Sequence, residues 1–201
     1  MNTLPPPSGP WARLAFAAVG VCWLAFGVVV VLGRRRAAGT VKKRDLKSHA
    51  GFALQGLAYA MCLALPRPLF TPFLPVSRPA EMVFTVLTIL IGAASVSFCY
   101  AATRTLDKQW ALAARVVEGH ELVIHGPYAV VRNPIYLSML GMLVASGLAV
   151  TGWQVLLVAI VVFQIGTAIR IRSEERILRD AFGVKFDEYV RRVPAFLPRV
   201  F

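Results

Sequence analysis

The chain has 201 residues, of which 57% are hydrophobic and 16% are charged, and its formal net charge is +12. This composition is too apolar for an ordinary soluble fold and indicates an integral membrane protein. The basic residues cluster beside apolar runs and no nucleic-acid-binding motif accompanies them, so the charge indicates anionic lipid headgroups and the positive-inside rule, and no nucleic-acid partner is predicted.

The three cysteines, Cys22, Cys62 and Cys99, each lie inside an apolar run. An odd number of cysteines in such places predicts packing residues rather than a disulfide framework. None of the three histidines stands at a metal-ligand spacing from them, and we predict no metal site.

Five apolar runs are predicted to cross the membrane, at residues 11–32, 48–65, 80–103, 135–150 and 153–169. The last two runs are near the lower length limit for a span. Residues 33–47 carry seven Lys or Arg against one Asp, which predicts a cytoplasmic loop and an N-terminus outside. A secretory signal peptide is the competing interpretation of the first run, but the run is long and three arginines follow it without a cleavage site.

The last two runs are separated only by Thr151 and Gly152, which predicts a tight helical hairpin. Residues 170–201 place apolar side chains at helical spacing and predict a cytoplasmic amphipathic helix, broken near Gly183 and ending before Pro194. The predicted fold class is therefore all-α: a polytopic membrane protein with about five transmembrane helices, the last two a hairpin, plus this C-terminal amphipathic helix.

The stretch from His120 to Tyr136 concentrates polar residues between apolar segments, and its Gly and Pro residues predict an irregular backbone. The predicted topology puts this stretch and Arg170 on the same side of the membrane, so they can share one site. Arg170 and Glu174 are four residues apart, as in a structural ion pair on one helix face. The functional interpretation makes the same residues the polar lining of a cavity, because ionisable groups at membrane depth are costly unless paired or used.

The C-terminal half resembles the isoprenylcysteine carboxyl methyltransferase family, since both halves of the family's bipartite pattern occur in order around a hairpin of the expected size. The first half of the pattern is carried by Trp110, Glu118, Gly119, His120, Leu122, Val123, Gly126, Pro127, Tyr128, Arg132, Pro134 and Tyr136. The second half is carried by Arg170, Glu174, Glu175, Leu178, Phe182, Gly183 and Tyr189.

The resemblance implies a membrane methyltransferase that uses S-adenosylmethionine as its cofactor. The cofactor-binding residues that it implies are His120, Glu121, Leu122, Val123, Tyr128, Asn133, Pro134, Ile135, Tyr136 and Glu174. Arg170 is the implied catalytic residue facing the substrate carboxylate, and Arg132 is predicted to join it in binding substrate. The family usually has His where this chain has Asn133, which keeps a hydrogen bond but cannot titrate near neutrality.

We therefore expect methylation of a lipophilic acceptor at the cytoplasmic membrane face, first of all carboxyl O-methylation of an isoprenylcysteine-like substrate. A phospholipid N-methyltransferase, a nicotinamide-dependent membrane sterol-type reductase and a non-catalytic scaffold are the alternatives. The expected partners are membrane lipids and a lipophilic or prenylated substrate, with no obligate protein partner, and the location is the inner membrane if the source is prokaryotic. Residues 1–201 form one predicted domain, with three spans in 1–103 and the cofactor-binding loop, hairpin and tail in 104–201.

Overall fold

A computed structural model describes residues 9–36, 41–44, 48–74, 78–107, 115–117 and 122–196. Helices dominate these residues, as predicted. The six α-helices among them are α1 (Pro10–Arg36), α2 (Ser48–Ala64), α3 (Arg78–Leu106), α4 (Pro134–Val150), α5 (Trp153–Phe182) and α6 (Val184–Arg192). A small antiparallel ribbon, which the sequence did not predict, pairs β1 (Val41–Arg44) with β2 (Arg115–Val117).

Three of the helices, α1, α3 and α5, are long and apolar enough to cross a membrane. They leave large apolar side chains such as Leu24, Leu90 and Val161 exposed on the outer surface, as a lipid-facing surface requires. The chain is an integral membrane protein. Helices α2 and α4 have 17 residues each, so the count of five spans stays a prediction.

The first five helices alternate in direction, as shown by contacts at the end where α2 finishes. There the Gly9 amide donates to the Phe70 carbonyl at 3.2 Å, and the Thr85 hydroxyl donates to the Trp11 carbonyl. Arg67, just after α2, donates to the carbonyl of Thr151 between α4 and α5. The end of α1, the start of α2, the end of α3 and the start of α4 therefore lie together at the opposite end of the molecule.

Helix α5 continues beyond the apolar run 153–169 and reaches Phe182 without a break. The residues that follow the run are good helix formers and contain no Pro or Gly, so nothing interrupts the hydrogen-bonding pattern. Arg170 and Glu174 consequently lie within α5 and not in a separate tail helix. The predicted break near Gly183 is confirmed: this residue has a φ of 50°, and α6 begins directly after it.

Candidate active site

The predicted irregular backbone forms a short turn between the end of α3 and the start of α4. A single 3₁₀ turn covers Gly126–Ala129, with Gly126 at a φ of 60°. Pro134 begins α4, where its missing N–H costs nothing because the first amides of a helix have no partner inside the helix. This backbone turns the Tyr128 side chain inward, where it is buried.

The polar centre of the site is formed by Tyr136 of α4 and by Arg170 and Glu174 of α5. The Tyr136 hydroxyl donates a hydrogen bond to Oε1 of Glu174. The Arg170 guanidinium lies over the Tyr136 ring, 4.9 Å from its centre, and its Nη2 is 3.7 Å from Glu174 Oε1. The structure thus brings together residues from both halves of the bipartite pattern.

Helix α2 contributes a residue that the sequence analysis missed. Gln55 is fully buried, its Nε2 donates to the Thr167 hydroxyl at 2.9 Å, and its Oε1 accepts from Arg170 Nη1 at 3.0 Å. Its position in the sequence could have identified it, because an amide in the middle of an apolar run needs a polar partner inside the membrane.

A second polar cluster joins the start of α4 to α5 and α6. Nε and Nη2 of Arg132 donate to Glu175 Oε1 at 3.0 and 2.8 Å, and its Nη1 donates to the carbonyls of Val190 and Val193. Next to it, Asn133 Nδ2 donates to the Ala195 carbonyl at 2.7 Å. The neutral hydrogen bond expected of this amide is therefore made with the backbone.

A cleft with an empty volume of about 480 Å³, including its open mouth, lies between these two clusters. The described residues that line it are Leu106, Leu122, Val123, Tyr128, Arg132, Asn133, Glu174, Glu175, Leu178, Phe186 and Tyr189.

Most of the residues predicted to bind the cofactor or substrate are at or beside this cleft. Tyr136 reaches it through its hydrogen bond to Glu174. Pro134 and Ile135, in the first turn of α4, are not among the described residues that line the cleft. His120 and Glu121 lie outside the described residues.

The two tyrosines that line the cleft, Tyr128 and Tyr189, are neutral. Burial raises the pKa of Tyr128 well above its usual value, and the negative charge of Glu174 raises it further. Burial also raises the pKa of Tyr189, whose hydroxyl donates to the Tyr128 carbonyl at 2.7 Å. Neither phenol releases a proton near neutral pH, so their contribution is positioning and hydrogen bonding rather than proton transfer.

The cleft is therefore a partly apolar pocket with two carboxylates, set where the helices of a membrane protein end. A family model described as phospholipid methyltransferase matches residues 80–185, which is more than half of the chain and includes most of this site. The chain belongs to that family of membrane methyltransferases. The finer resemblance to isoprenylcysteine carboxyl methyltransferases stays a prediction.

Two curated relatives are similar to parts of the chain. The cobalt-zinc-cadmium resistance protein CzcN of Cupriavidus metallidurans is 33% identical over 115 residues, which are 57% of this chain and 50% of that protein. The nickel-cobalt-cadmium resistance protein NccN of Alcaligenes xylosoxydans xylosoxydans is 35% identical over 80 residues, 40% of this chain and 37% of that protein. The chain thus spans half or less of the length of these relatives. Among the described residues, no group of three or more His, Cys, Asp or Glu is placed to hold a metal ion.

Proposed function

We propose that this protein transfers a methyl group from S-adenosylmethionine to a lipophilic acceptor at the membrane surface. The observation that carries the proposal is the junction of Tyr136, Arg170 and Glu174 beside the cleft. Two segments far apart in the sequence build this junction, and the family match supports methyl transfer as the chemistry.

The chemistry of the cleft suits S-adenosylmethionine. The side chains of Leu122, Val123 and Leu178 offer apolar surface for an adenine ring, and the carboxylates of Glu174 and Glu175 offer negative charge to a cofactor that carries an ammonium and a sulfonium. When bound, this cofactor supplies an electrophilic methyl group.

The residues of the site hold and orient the cofactor and the acceptor. Methyl transfer to an anionic acceptor needs little proton chemistry. The Tyr136 hydroxyl orients the Glu174 carboxylate, which would accept hydrogen bonds from the cofactor's ammonium or ribose hydroxyls. Arg170 presents a guanidinium suited to a carboxylate on the acceptor. Arg132 and Asn133 hold Val190 of α6 and Ala195 close to the start of α4.

The depth of the site supports a lipophilic acceptor. Arg170 follows Trp153 by 17 residues along α5, which places it ~26 Å along the helix axis. The hydrocarbon core of a bilayer is about 30 Å thick, so Arg170 lies near its far boundary. We propose five spans, with the cleft facing the cytoplasm, so that the cofactor enters from water and the acceptor from the bilayer.

Two acceptor classes fit this arrangement. Carboxyl O-methylation of an isoprenylcysteine-like substrate uses the guanidinium of Arg170. N-methylation of a phospholipid amine is the second candidate, and the family match favours it. A nicotinamide-dependent reductase receives no support from the family match.

The test begins with binding of S-adenosylmethionine to the detergent-solubilised protein by titration calorimetry. We expect saturable binding that Glu174→Gln weakens at least tenfold. The matched control, Glu188→Gln, removes an exposed carboxylate of α6 and leaves the affinity unchanged. Absence of binding to the wild-type protein would overturn the proposal.

The acceptor class is determined with methyl-tritiated cofactor and a bacterial lipid extract. A methyl ester releases volatile methanol in alkali, whereas an N-methyl group does not. Base-labile label indicates a carboxylate acceptor, and base-stable label in the phospholipid fraction indicates an amine acceptor.

A further inference from the structure

Helix α2 takes part in the site although it lies entirely before the segment that matches the family model. It meets α5 at two glycines that face each other. A Cβ on Gly166 would stand 2.7 Å from the backbone carbonyl oxygen of Gly51 and 3.1 Å from the backbone nitrogen of Gln55. Such close approach of two backbones is the usual effect of small residues in membrane helices, and it brings the side chain of Gln55 within reach of α5.

The two hydrogen bonds of Gln55 determine how its amide is oriented. A guanidinium only donates hydrogen bonds, so the amide oxygen has to face Arg170 and the amide nitrogen has to face Thr167. Both partners lie on α5, in successive positions of one helix face. Arg170 therefore sets the orientation of the Gln55 amide, and the Thr167 hydroxyl accepts from its nitrogen and so anchors the other end.

The Arg170 side chain contacts two aromatic rings in addition to Gln55. Its guanidinium lies over the ring of Phe52, 5.6 Å from the ring centre, and over the ring of Tyr136, and the residue is almost completely buried. Gln55 differs from the other contacts because it holds Nη1 with a neutral acceptor. It fixes the direction of the guanidinium without adding a second negative charge.

We infer that Gln55 is a positioning residue, which aligns Arg170 with the acceptor while taking no part in cofactor binding. The inference rests on the proposed function, in which Arg170 binds the methyl acceptor. Gln55→Leu keeps the approximate volume and removes both hydrogen bonds. We expect it to lower the methylation rate about 10- to 100-fold, the range of a lost hydrogen bond to a charged group. The dissociation constant of S-adenosylmethionine stays within twofold.

The experiment compares wild type, Gln55→Leu, Arg170→Lys and the double variant, with N-acetyl-S-farnesylcysteine and phosphatidylethanolamine as acceptor probes. Calorimetry with S-adenosylmethionine tests the proposed function independently. If Gln55 acts through Arg170, Gln55→Leu has little further effect in the Arg170→Lys background. Equal losses in both backgrounds, or an unchanged rate, would overturn the inference.

Thermal unfolding of the same four proteins in detergent decides the matter if neither probe is methylated. Non-additive shifts of the unfolding midpoint support the coupling of the two residues, and additive shifts overturn it. The matched control is Gln164→Leu, which replaces a glutamine of α5 whose buried Oε1 has no hydrogen-bond partner in the described structure. We expect this control to keep both the rate and the cofactor affinity.

Discussion

The Tyr136 hydroxyl donates a hydrogen bond to Oε1 of Glu174 across 38 positions of sequence. The bond connects the first turn of α4 with the part of α5 that extends beyond its apolar run, on either side of the connection at Thr151 and Gly152. The same carboxylate lines the cleft. Tyr136 therefore influences the cleft through Glu174, although its ring lies under Arg170.

Tyr136→Phe separates these two roles, because it keeps the ring and removes the hydroxyl. A hydrogen bond to a charged group contributes about 1.5–3 kcal/mol, so we expect about tenfold weaker binding of S-adenosylmethionine from a less well oriented Glu174. Calorimetry measures the change. Tyr100→Phe, on the exposed side of α3, is the control and leaves the affinity unchanged. Equal affinity of Tyr136→Phe and wild type would show that the hydroxyl does not orient the carboxylate.

Arg132 and Glu175 form a mostly buried ion pair, with side chains 10% and 19% exposed. Arg132→Met leaves the Glu175 carboxylate without this partner, and breaking such a pair costs about 3–5 kcal/mol. We expect a lower unfolding midpoint in detergent and partial recovery in the double variant Arg132→Met, Glu175→Met. A double variant no more stable than Arg132→Met would argue against the ion pair as the source of the loss.

The same double variant tests the prediction that Arg132 binds substrate. A positioning role alone predicts that turnover recovers together with stability. A raised KM for the acceptor that persists after stability has recovered, and that Glu175→Met alone does not show, identifies Arg132 as a substrate contact.

The apolar helices of the protein could be predicted from the sequence, because the length and hydropathy of each apolar run indicate a helix without reference to any other segment. The meeting of Tyr136 with Glu174 could also be predicted, since alternating spans place both at the same end of the molecule. The length of α5 could not be predicted from hydropathy, because its polar continuation to Phe182 is stabilised by helix propensity and by packing against α6.

The missed features are contacts between segments, and no local signal in the sequence identifies the partner of each contact. The ribbon of β1 and β2 pairs two short segments from different loops. Gln55 reaches Arg170 only because two glycines allow α2 and α5 to touch. In the sequence, Arg67 is an interfacial cation between prolines. In the structure its guanidinium donates hydrogen bonds to carbonyls at the C-terminal end of α4.

Arg67 closes the end of α4 opposite the cleft. Its Nη1 and Nη2 donate to the carbonyls of Thr151, Leu148 and Ala149, and its Nε donates to the Thr71 carbonyl. Burial lowers the pKa of Arg67 to about 10, which still leaves it charged at neutral pH. The guanidinium thus satisfies the last carbonyls of a helix and meets the negative end of its dipole.

We expect Arg67→Met to lower the unfolding midpoint markedly, because several buried carbonyls lose their donor at about 1–3 kcal/mol each. Arg67→Lys recovers part of the loss, since an ammonium cannot reproduce the planar fork of a guanidinium. Arg78→Met, which removes an exposed cation at the same end of the molecule, is the control. Equal midpoints for Arg67→Met and Arg78→Met would refute this role.

Gly183 sets the angle at which α6 packs beside the cleft. Its φ of 50° and ψ of −124° lie in a region that only glycine adopts readily, while a Cβ there would meet no atom within 4 Å. Gly183→Ala therefore adds backbone strain without a steric clash, at a cost of about 1–3 kcal/mol. The strain is relieved if α6 shifts, and this would move Phe186 and Tyr189, which line the cleft.

We accordingly expect Gly183→Ala to weaken binding of S-adenosylmethionine several-fold as well as to lower the unfolding midpoint. Gly20→Ala is the matched control, because Gly20 lies within α1, has equal space for a Cβ and has no positive φ. It should keep the cofactor affinity and leave the unfolding midpoint unchanged or slightly raised, since alanine favours a helix. If Gly183→Ala binds the cofactor as tightly as Gly20→Ala, the position of α6 does not determine the shape of the cleft.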